Sequence, residues 1–297
     1  MVKAAILICT CDRPDLLKIL LESLSRPGEA EVPICIVDNG AQSSEVIATS
    51  FRPQLAIQYR RVAAPGLAAA RNAGLRLALE QSPAFIAFID DDEYPAPGWL
   101  SGLVRVMEET GGGFATGPVI PDFAHRPPAW ATKGAFFHNT GNSFCTSNLI
   151  VRASILPVDE KDWFHADLNF IGGEDNELLS RLVEAGAAHV IAQDAAVHEY
   201  ISEARLKRRY VWRRGLRDGM SEARIVLLRH HSLVKRTGAL IGKCLRKLGY
   251  ALNHLVWSPF EPWRLNAAMA DLCFIAGIVL GACGVEARFY GRRPANG

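Results

Sequence analysis

Ala84-Phe85-Ile86-Ala87-Phe88-Ile89-Asp90-Asp91-Asp92 sets six consecutive apolar residues directly before three carboxylates. An apolar run of this length is expected for a strand covered on both faces, as in a parallel sheet. Adjacent aspartates are costly in a dry site, and taken alone such a run reads as a solvated turn. Its position reverses that reading. In a doubly wound sheet the ligand crevice lies beyond the carboxyl ends of the strands. Hard divalent cations take carboxylate oxygens there, with phosphate oxygens completing the shell.

The same pattern repeats on the N-terminal side. Ala4 to Cys9 and Pro33 to Val37 are further buried strands, with a shorter one near Ile57 to Val62. Pro14 suits the first turn of a helix whose stripe is Leu16, Leu17, Leu20, Leu21 and Leu24, and a second helix is expected around Leu67 to Glu80. Strands separated by helices predict an α/β fold, a doubly wound, mostly parallel sheet flanked by helices. Thr10 to Arg13, Asp38-Asn39-Gly40 and Asp90 to Asp92 all fall at the strand ends of that sheet. A helix follows at Trp99 to Thr110, and Pro118 to Phe144 reads as one long loop. Strand signals return at Ser147 to Arg152, Ala188 to Ala192 and Ala195 to Tyr200, with a helix from Glu174 between them. Everything after Ser202 reads as helical and basic, which divides the chain into 1–201 and 202–297.

The 297 residues are 49% hydrophobic, enough for a sizeable core, which excludes global disorder. A net charge of +2 hides an asymmetry. Arg205 to Lys247 holds fourteen Lys and Arg against Asp218 and Glu222, a local balance of +12 that leaves the remainder at −10. Such a block suits an anionic surface. Seven cysteines without a C-x-x-C read as reduced thiols. The start of the chain runs straight into a strand pattern, so no signal peptide is expected.

Three other features carry chemistry. Gly172-Gly173-Glu174-Asp175 offers a sharp turn followed by two carboxylates in the first turn of a helix. That pattern suits either a dipole-capped helix or a general base facing a sugar hydroxyl. His198 ends a strand, where a histidine is either structural or a metal ligand. Arg71 and Asn72 interrupt the small-residue helix Gly66 to Gly74, and a guanidinium there could meet a phosphate.

Thr10-Cys11-Asp12-Arg13-Pro14, Val37-Asp38-Asn39-Gly40, Gly66 with Ala70-Arg71-Asn72-Ala73-Gly74, Phe88-Ile89-Asp90-Asp91-Asp92, Gly172-Gly173-Glu174-Asp175 and His198 occur in this order. Over residues 1–200 the chain resembles inverting family 2 glycosyltransferases of the GT-A fold, of the bacterial polysaccharide-biosynthesis type. The resemblance implies a nucleotide-sugar donor, a UDP-sugar, held by Thr10, Asp12, Arg13, Asp38, Arg71, Asp90 and Asp91. It implies Mn²⁺ or Mg²⁺ on Asp92 and His198, Glu174 on the acceptor sugar and Asp175 as base. The division between Glu174 and Asp175 rests on register. Trp130, Asn148 and Gly173 are expected at the acceptor, with Phe136, Phe137 and His138 in the same loop.

Beyond Tyr200 the resemblance fades. Leu233, Thr237, Ile241, Cys244, Leu248 and Leu252 recur at helical spacing with lysines and arginines off that face, the pattern of a helix lying on an anionic membrane. Leu272 to Val285 is fourteen uncharged residues, short for a span, and suits an interfacial segment or a helix packed on the catalytic domain. The expected location is the cytoplasmic face of the plasma membrane, or the cytoplasm if that run is buried. The expected acceptor is a saccharide linked to polyprenyl diphosphate, and nucleic acid is not expected. Two rival readings are a metal-dependent sugar-phosphate nucleotidylyltransferase, whose glycine-rich lysine loop is missing after the first strand, and a non-enzymatic membrane scaffold.

Overall fold

The computed structural model describes residues 4–26 and 32–290; the expectations falling on Val2, Lys3 and residues 291–297 lie outside them. In chain order the elements are β1 (Ala4–Thr10), α1 (Pro14–Leu24), β2 (Ile34–Asp38), α2 (Glu45–Ser50), β3 (Ile57–Arg61), α3 (Leu67–Leu79) and β4 (Phe85–Phe88). Then come β5 (Glu93–Pro95), α4 (Trp99–Thr110), β6 (Phe114–Thr116), β7 (Val119–Phe123), α5 (Ala129–Lys133), β8 (Leu149–Arg152), α6 (Glu174–Glu184), β9 (His189–Ile191) and β10 (Val197–Ile201). Three long helices follow, α7 (Arg208–Arg229), α8 (Leu233–Trp257) and α9 (Arg264–Ala282).

The main sheet has the order β3-β2-β1-β4-β8-β6-β9, and only β8 runs against its neighbours. Alternate side chains of its buried strands feed two cores. Ile6, Ile8, Ile34, Ile36 and Phe85 pack with the leucines of α1 and with Trp99, Leu103 and Met107 of α4. Ala5, Leu7, Val37, Ile86 and Phe88 pack on the other side against α3 and α6. Helix α3 approaches closely because Gly74 faces Leu7, where a Cβ would lie 2.9 Å from Leu7 Cδ2. Each fully buried aliphatic or aromatic side chain contributes about 1.5–3 kcal/mol.

A second sheet, β5-β10-β7, stands beyond the carboxyl end of β4. Pro118 to Phe144 is therefore not a structureless loop, because it contains β7 and α5. Prolines at 118 and 121 mask the strand signal, which survives since β7 lies at the edge of this sheet.

The C-terminal helices dock on the catalytic body. Ser221 Oγ of α7 donates to the carbonyl of Ile171 at 2.9 Å. Helix α9 lies directly on α7, with Gly219 against the carbonyl of Phe274 and Gly277 against that of Leu216, contacts that leave no space for a Cβ. Among the described residues α9 alone is long and apolar enough to cross a membrane, with mean hydropathy 1.8. Its Asp271 is buried and paired with Lys247 Nζ of α8 at 2.7 Å. The apolar row of α8 faces outward, Leu233 being 76%, Ile241 53% and Leu252 54% exposed.

Candidate active site

At the end of β4 the chain turns through Asp90, Asp91 and Asp92 into β5. Glu93 holds this turn, its Oε2 accepting the amide of Asp90 at 2.9 Å and its Oε1 the hydroxyl of Ser147. Thr10, at the end of β1, donates to Asp91 Oδ2 at 2.9 Å, and Arg13 Nη1 donates to Asp91 Oδ1 at 3.0 Å and Asp92 Oδ2 at 3.2 Å. From beyond β10, Arg205 reaches the same Asp92 oxygen at 3.3 Å and Glu199 Oε1 at 2.5 Å. The strand ends therefore meet through ion pairs.

Negative charge remains in excess. Burial pushes the Asp90 carboxyl up to about 6, opposed by Arg71 and reinforced by Asp92 and Glu199. Burial likewise lifts Asp91 to about 7, with Arg13 opposing and Asp92 reinforcing. Glu93 is raised well above the usual carboxylate range by burial and then by Asp90.

Arg71 links this cluster to α6. Its side chain, buried on α3, bonds Glu174 Oε1, while its guanidinium stands 3.8 Å from Asp90 Oδ1 and 3.9 Å from Asp175 Oδ2. Glu174 is fully buried, and among the described residues its Oε2 has no hydrogen-bond partner. Asp175 is better exposed, accepting the amide of Asn176 at 2.7 Å and that of Thr146 at 3.3 Å. One guanidinium thus joins the carboxylates of β4 and α6, so the expected donor and base residues converge.

Asp38 lies at the end of β2 with no exposed surface. Its carboxylate accepts the amides of Gly40 (2.8 Å) and Ser44 (2.7 Å) and the hydroxyl of Tyr59 (2.7 Å). It shapes the loop after β2, and both its oxygens are engaged by that loop and by Tyr59 of β3. Asp12 has φ +54° and accepts the amide of Gln42 at 2.9 Å, so the loops after β1 and β2 are tied together.

Several expected residues are placed elsewhere. Asn148 has no accessible surface: it accepts from the Trp99 indole at 2.7 Å and donates to the carbonyls of Ala195 (2.7 Å) and Pro118 (2.9 Å). It joins the two sheets and offers nothing to an acceptor. Trp130 packs on Phe136 at the foot of α7, and with Phe137 these rings belong to a separate apolar cluster. Phe136 and Phe137 line a cleft of about 210 Å³ bounded by Tyr210, Arg214 and Lys247. Gly173, with φ +86°, caps α6 and faces Ser221 of α7.

The pair Asp92 and His198 is not brought together either. His198 stacks on Tyr94, ring centroids 5.1 Å apart, while the next residue, Glu199, turns to Arg205 and the carboxylates. Strand parity is the cause, since Val197, Glu199 and Ile201 share one face of β10 and His198 takes the other. Buried Val197 and Ile201 flanking a carboxylate were the available signal for Glu199. Arg205 has a partner six positions earlier in Glu199, but nothing local marks its reach to Asp92, 113 positions earlier.

Among the described residues no three His, Cys, Asp or Glu side chains are arranged to hold a metal ion by themselves. The donor set still fits a hard divalent cation that also takes oxygens from a ligand. Asp92 keeps part of its side chain at the surface, and its surroundings hold more carboxylates than the arginines neutralise.

Comparison with known proteins agrees with this architecture. Residues 5–155 match the sequence profile of Glycosyl transferase family 2. The chain is 27% identical over 303 residues to the succinoglycan biosynthesis protein ExoM of Rhizobium meliloti (strain 1021), covering 97% of this chain and 96% of that one. The mannosyltransferase PcManGT from Pyrobaculum calidifontis, solved in complex with GDP-Man and Mn²⁺, superposes with a TM-score of 0.62 at 13% identity, covering 96% and 88% of the two chains. S. aureus TarS 1-349 superposes with a TM-score of 0.53 at 14% identity over 95% and 92%. A profile match spanning half of the chain, on a parallel-rich sheet with carboxylates at its strand ends, identifies the protein as a member of glycosyl transferase family 2 with the GT-A fold.

Proposed function

We propose that the protein moves a hexose from a UDP-sugar to a saccharide acceptor with inversion, in the synthesis of a bacterial polysaccharide. The observation that carries this reading is the bridge made by Arg71, which binds Glu174 and stands within 4 Å of Asp90 and Asp175. Donor-side and acceptor-side carboxylates then share one crevice, as a single displacement requires.

In that reaction the acceptor hydroxyl attacks the anomeric carbon, Asp175 takes its proton, and the bond from that carbon to the diphosphate breaks. Glu174, enclosed and bonded to Arg71, acts by holding that guanidinium beside Asp90 and Asp175 and not by touching the sugar. Thr10, Asp12, Arg13 and Asp38 act by holding the two strand-end loops against which the nucleotide lies. Asp92 would hold Mn²⁺ or Mg²⁺, which supplies positive charge for the departing diphosphate. PcManGT, with its bound Mn²⁺, and TarS, also solved with UDP, support a cation and a nucleoside diphosphate here. The similarity to ExoM supports a polysaccharide product.

The outward apolar row of α8 beside Lys235, Lys243 and Arg246 supports peripheral attachment to an anionic membrane, where a lipid-linked acceptor is presented. Incubating the protein with UDP-sugars, Mn²⁺ and alkyl glycosides tests the reaction. Transfer with inversion, seen by proton NMR of the new linkage, and its loss in Asp175→Asn are expected. Unchanged turnover in Asp175→Asn would remove the base assignment.

A further inference from the structure

Residues 283–290 leave α9 and return to the segment that precedes α6. The amides of Phe289 and Tyr290 donate to the carbonyl of Phe170 at 2.8 Å and 3.1 Å. Three guanidiniums hold the aromatic rings: Arg288 lies 4.6 Å from the centroid of Phe170, Arg213 5.6 Å from Phe289 and Arg217 5.4 Å from Tyr290. Arg217 also donates to the Tyr290 hydroxyl. Such contacts are each worth about 0.5–2 kcal/mol, so together they hold the segment firmly.

The Cε2 edge of the Tyr290 ring abuts Gly172. A Cβ at Gly172 would lie 2.9 Å from Tyr290 Cε2, and the backbone there has φ +84°. Both the left-handed turn and the ring edge beside it therefore require glycine. Gly172 precedes Glu174 and Asp175 by two and three positions, so the ring borders the loop that presents both carboxylates. The polar bonds of the tail go to Phe170 and Arg217, whereas those of Asp175 go to Thr146 and Asn176. Tyr290 thus flanks Asp175 through Gly172 while the carboxylate stays bonded to its own neighbours. Tyr290 is half-buried, with Arg217 over its ring.

We infer that Tyr290 is a specificity-determining residue, the wall of the acceptor subsite, against which the apolar face of the acceptor sugar packs. This rests on the reading of Asp175 as the base. A pyranose ring presents C–H groups on one face, and an aromatic ring fixed beside the base orients the sugar so that one hydroxyl meets the carboxylate. The C-terminal region then completes the active site in addition to any contact with lipid.

The test uses the full-length protein with UDP-glucose, UDP-galactose and UDP-N-acetylglucosamine as donors and octyl β-glucoside and octyl β-galactoside as acceptors. Tyr290→Ala is expected to raise the acceptor KM about tenfold, the value of one well-formed aromatic contact. Donor KM and donor hydrolysis without acceptor should stay within twofold, and Tyr290→Phe should restore the acceptor KM. Faster transfer by Tyr290→Ala would overturn the proposal by making the tail an obstruction. An unchanged acceptor KM would overturn it as well. Equal losses for donor and acceptor in both variants would reduce the ring to a structural support. A wild-type protein that neither hydrolyses nor transfers from any nucleotide sugar would overturn the functional reading, and the acceptor wall with it.

Discussion

Arg205 Nη1 lies 3.3 Å from Asp92 Oδ2, so a cation from the C-terminal region pairs with the carboxylate proposed as the metal ligand. Unit charges about 4 Å apart repel by roughly 1 kcal/mol in water and about 4 kcal/mol at a protein surface. Arg205→Gln should therefore tighten Mn²⁺ binding at least about fivefold in isothermal titration, and Asp92→Asn should abolish it. Weaker binding in Arg205→Gln would show that the arginine orients Asp92 instead.

Arg71 and Glu174 are both buried, and removing one partner strands the other charge. Arg71→Met should cost about 3–5 kcal/mol in urea denaturation. Glu174→Gln, which keeps the volume and removes the charge, should cost less. Equal stability of Arg71→Met and the wild type would contradict the buried pair.

The carboxyls of Asp90 and Asp91 are raised by burial to about 6 and about 7, from a usual value of 3.8. Between those limits the folded protein holds protons that the unfolded chain has released. Stability without metal should therefore fall as pH rises from about 4 to about 7, then level off. Mn²⁺ should raise the melting temperature more at pH 7.5 than at pH 5.5, and Asp91→Asn should flatten the pH dependence. Scanning calorimetry across this range reads both.

Asn148→Ala would leave the Trp99 indole and the carbonyl of Ala195 without their Asn148 partner, while the Pro118 carbonyl keeps the amide of Val197. The expected loss is about 3 kcal/mol or more, with acceptor KM unchanged in the protein that remains folded. A selective rise in acceptor KM would return Asn148 to the substrate.

Helix α8 exposes Ile241 and Leu245, at 53% and 63%, beside its lysines. The double variant Ile241→Glu with Leu245→Glu should lose flotation with phosphatidylglycerol vesicles while keeping turnover on octyl glycosides. Wild-type protein that stays unbound at low salt would remove the membrane reading.

Much of the architecture was legible from apolar runs. β1, β2 and β4 are covered on both faces, so their sequences are continuously apolar, and α4 spans Trp99–Thr110 as its pattern predicts. The short strands were not legible. β5 and β6 have three residues each, too few for a period, and exist because neighbours complete their hydrogen bonds. In the site, Asp90 to Asp92, Arg71, Glu174 and Asp175 stood out because charged groups beside buried elements need a purpose.

Where carboxylates meet the ends of buried strands was readable along the chain, since hydrophobic periodicity is local and fixes element type and face. Only the tertiary structure decided which side chains share the crevice. Pairing of β10 with β5 turns Glu199 inward and stacks His198 on Tyr94, a choice set by register between segments about a hundred residues apart. Docking of α7 and α9 then carries Arg205 to Asp92 and Tyr290 to Gly172. Those contacts depend on how helices pack, and no local pattern encodes them.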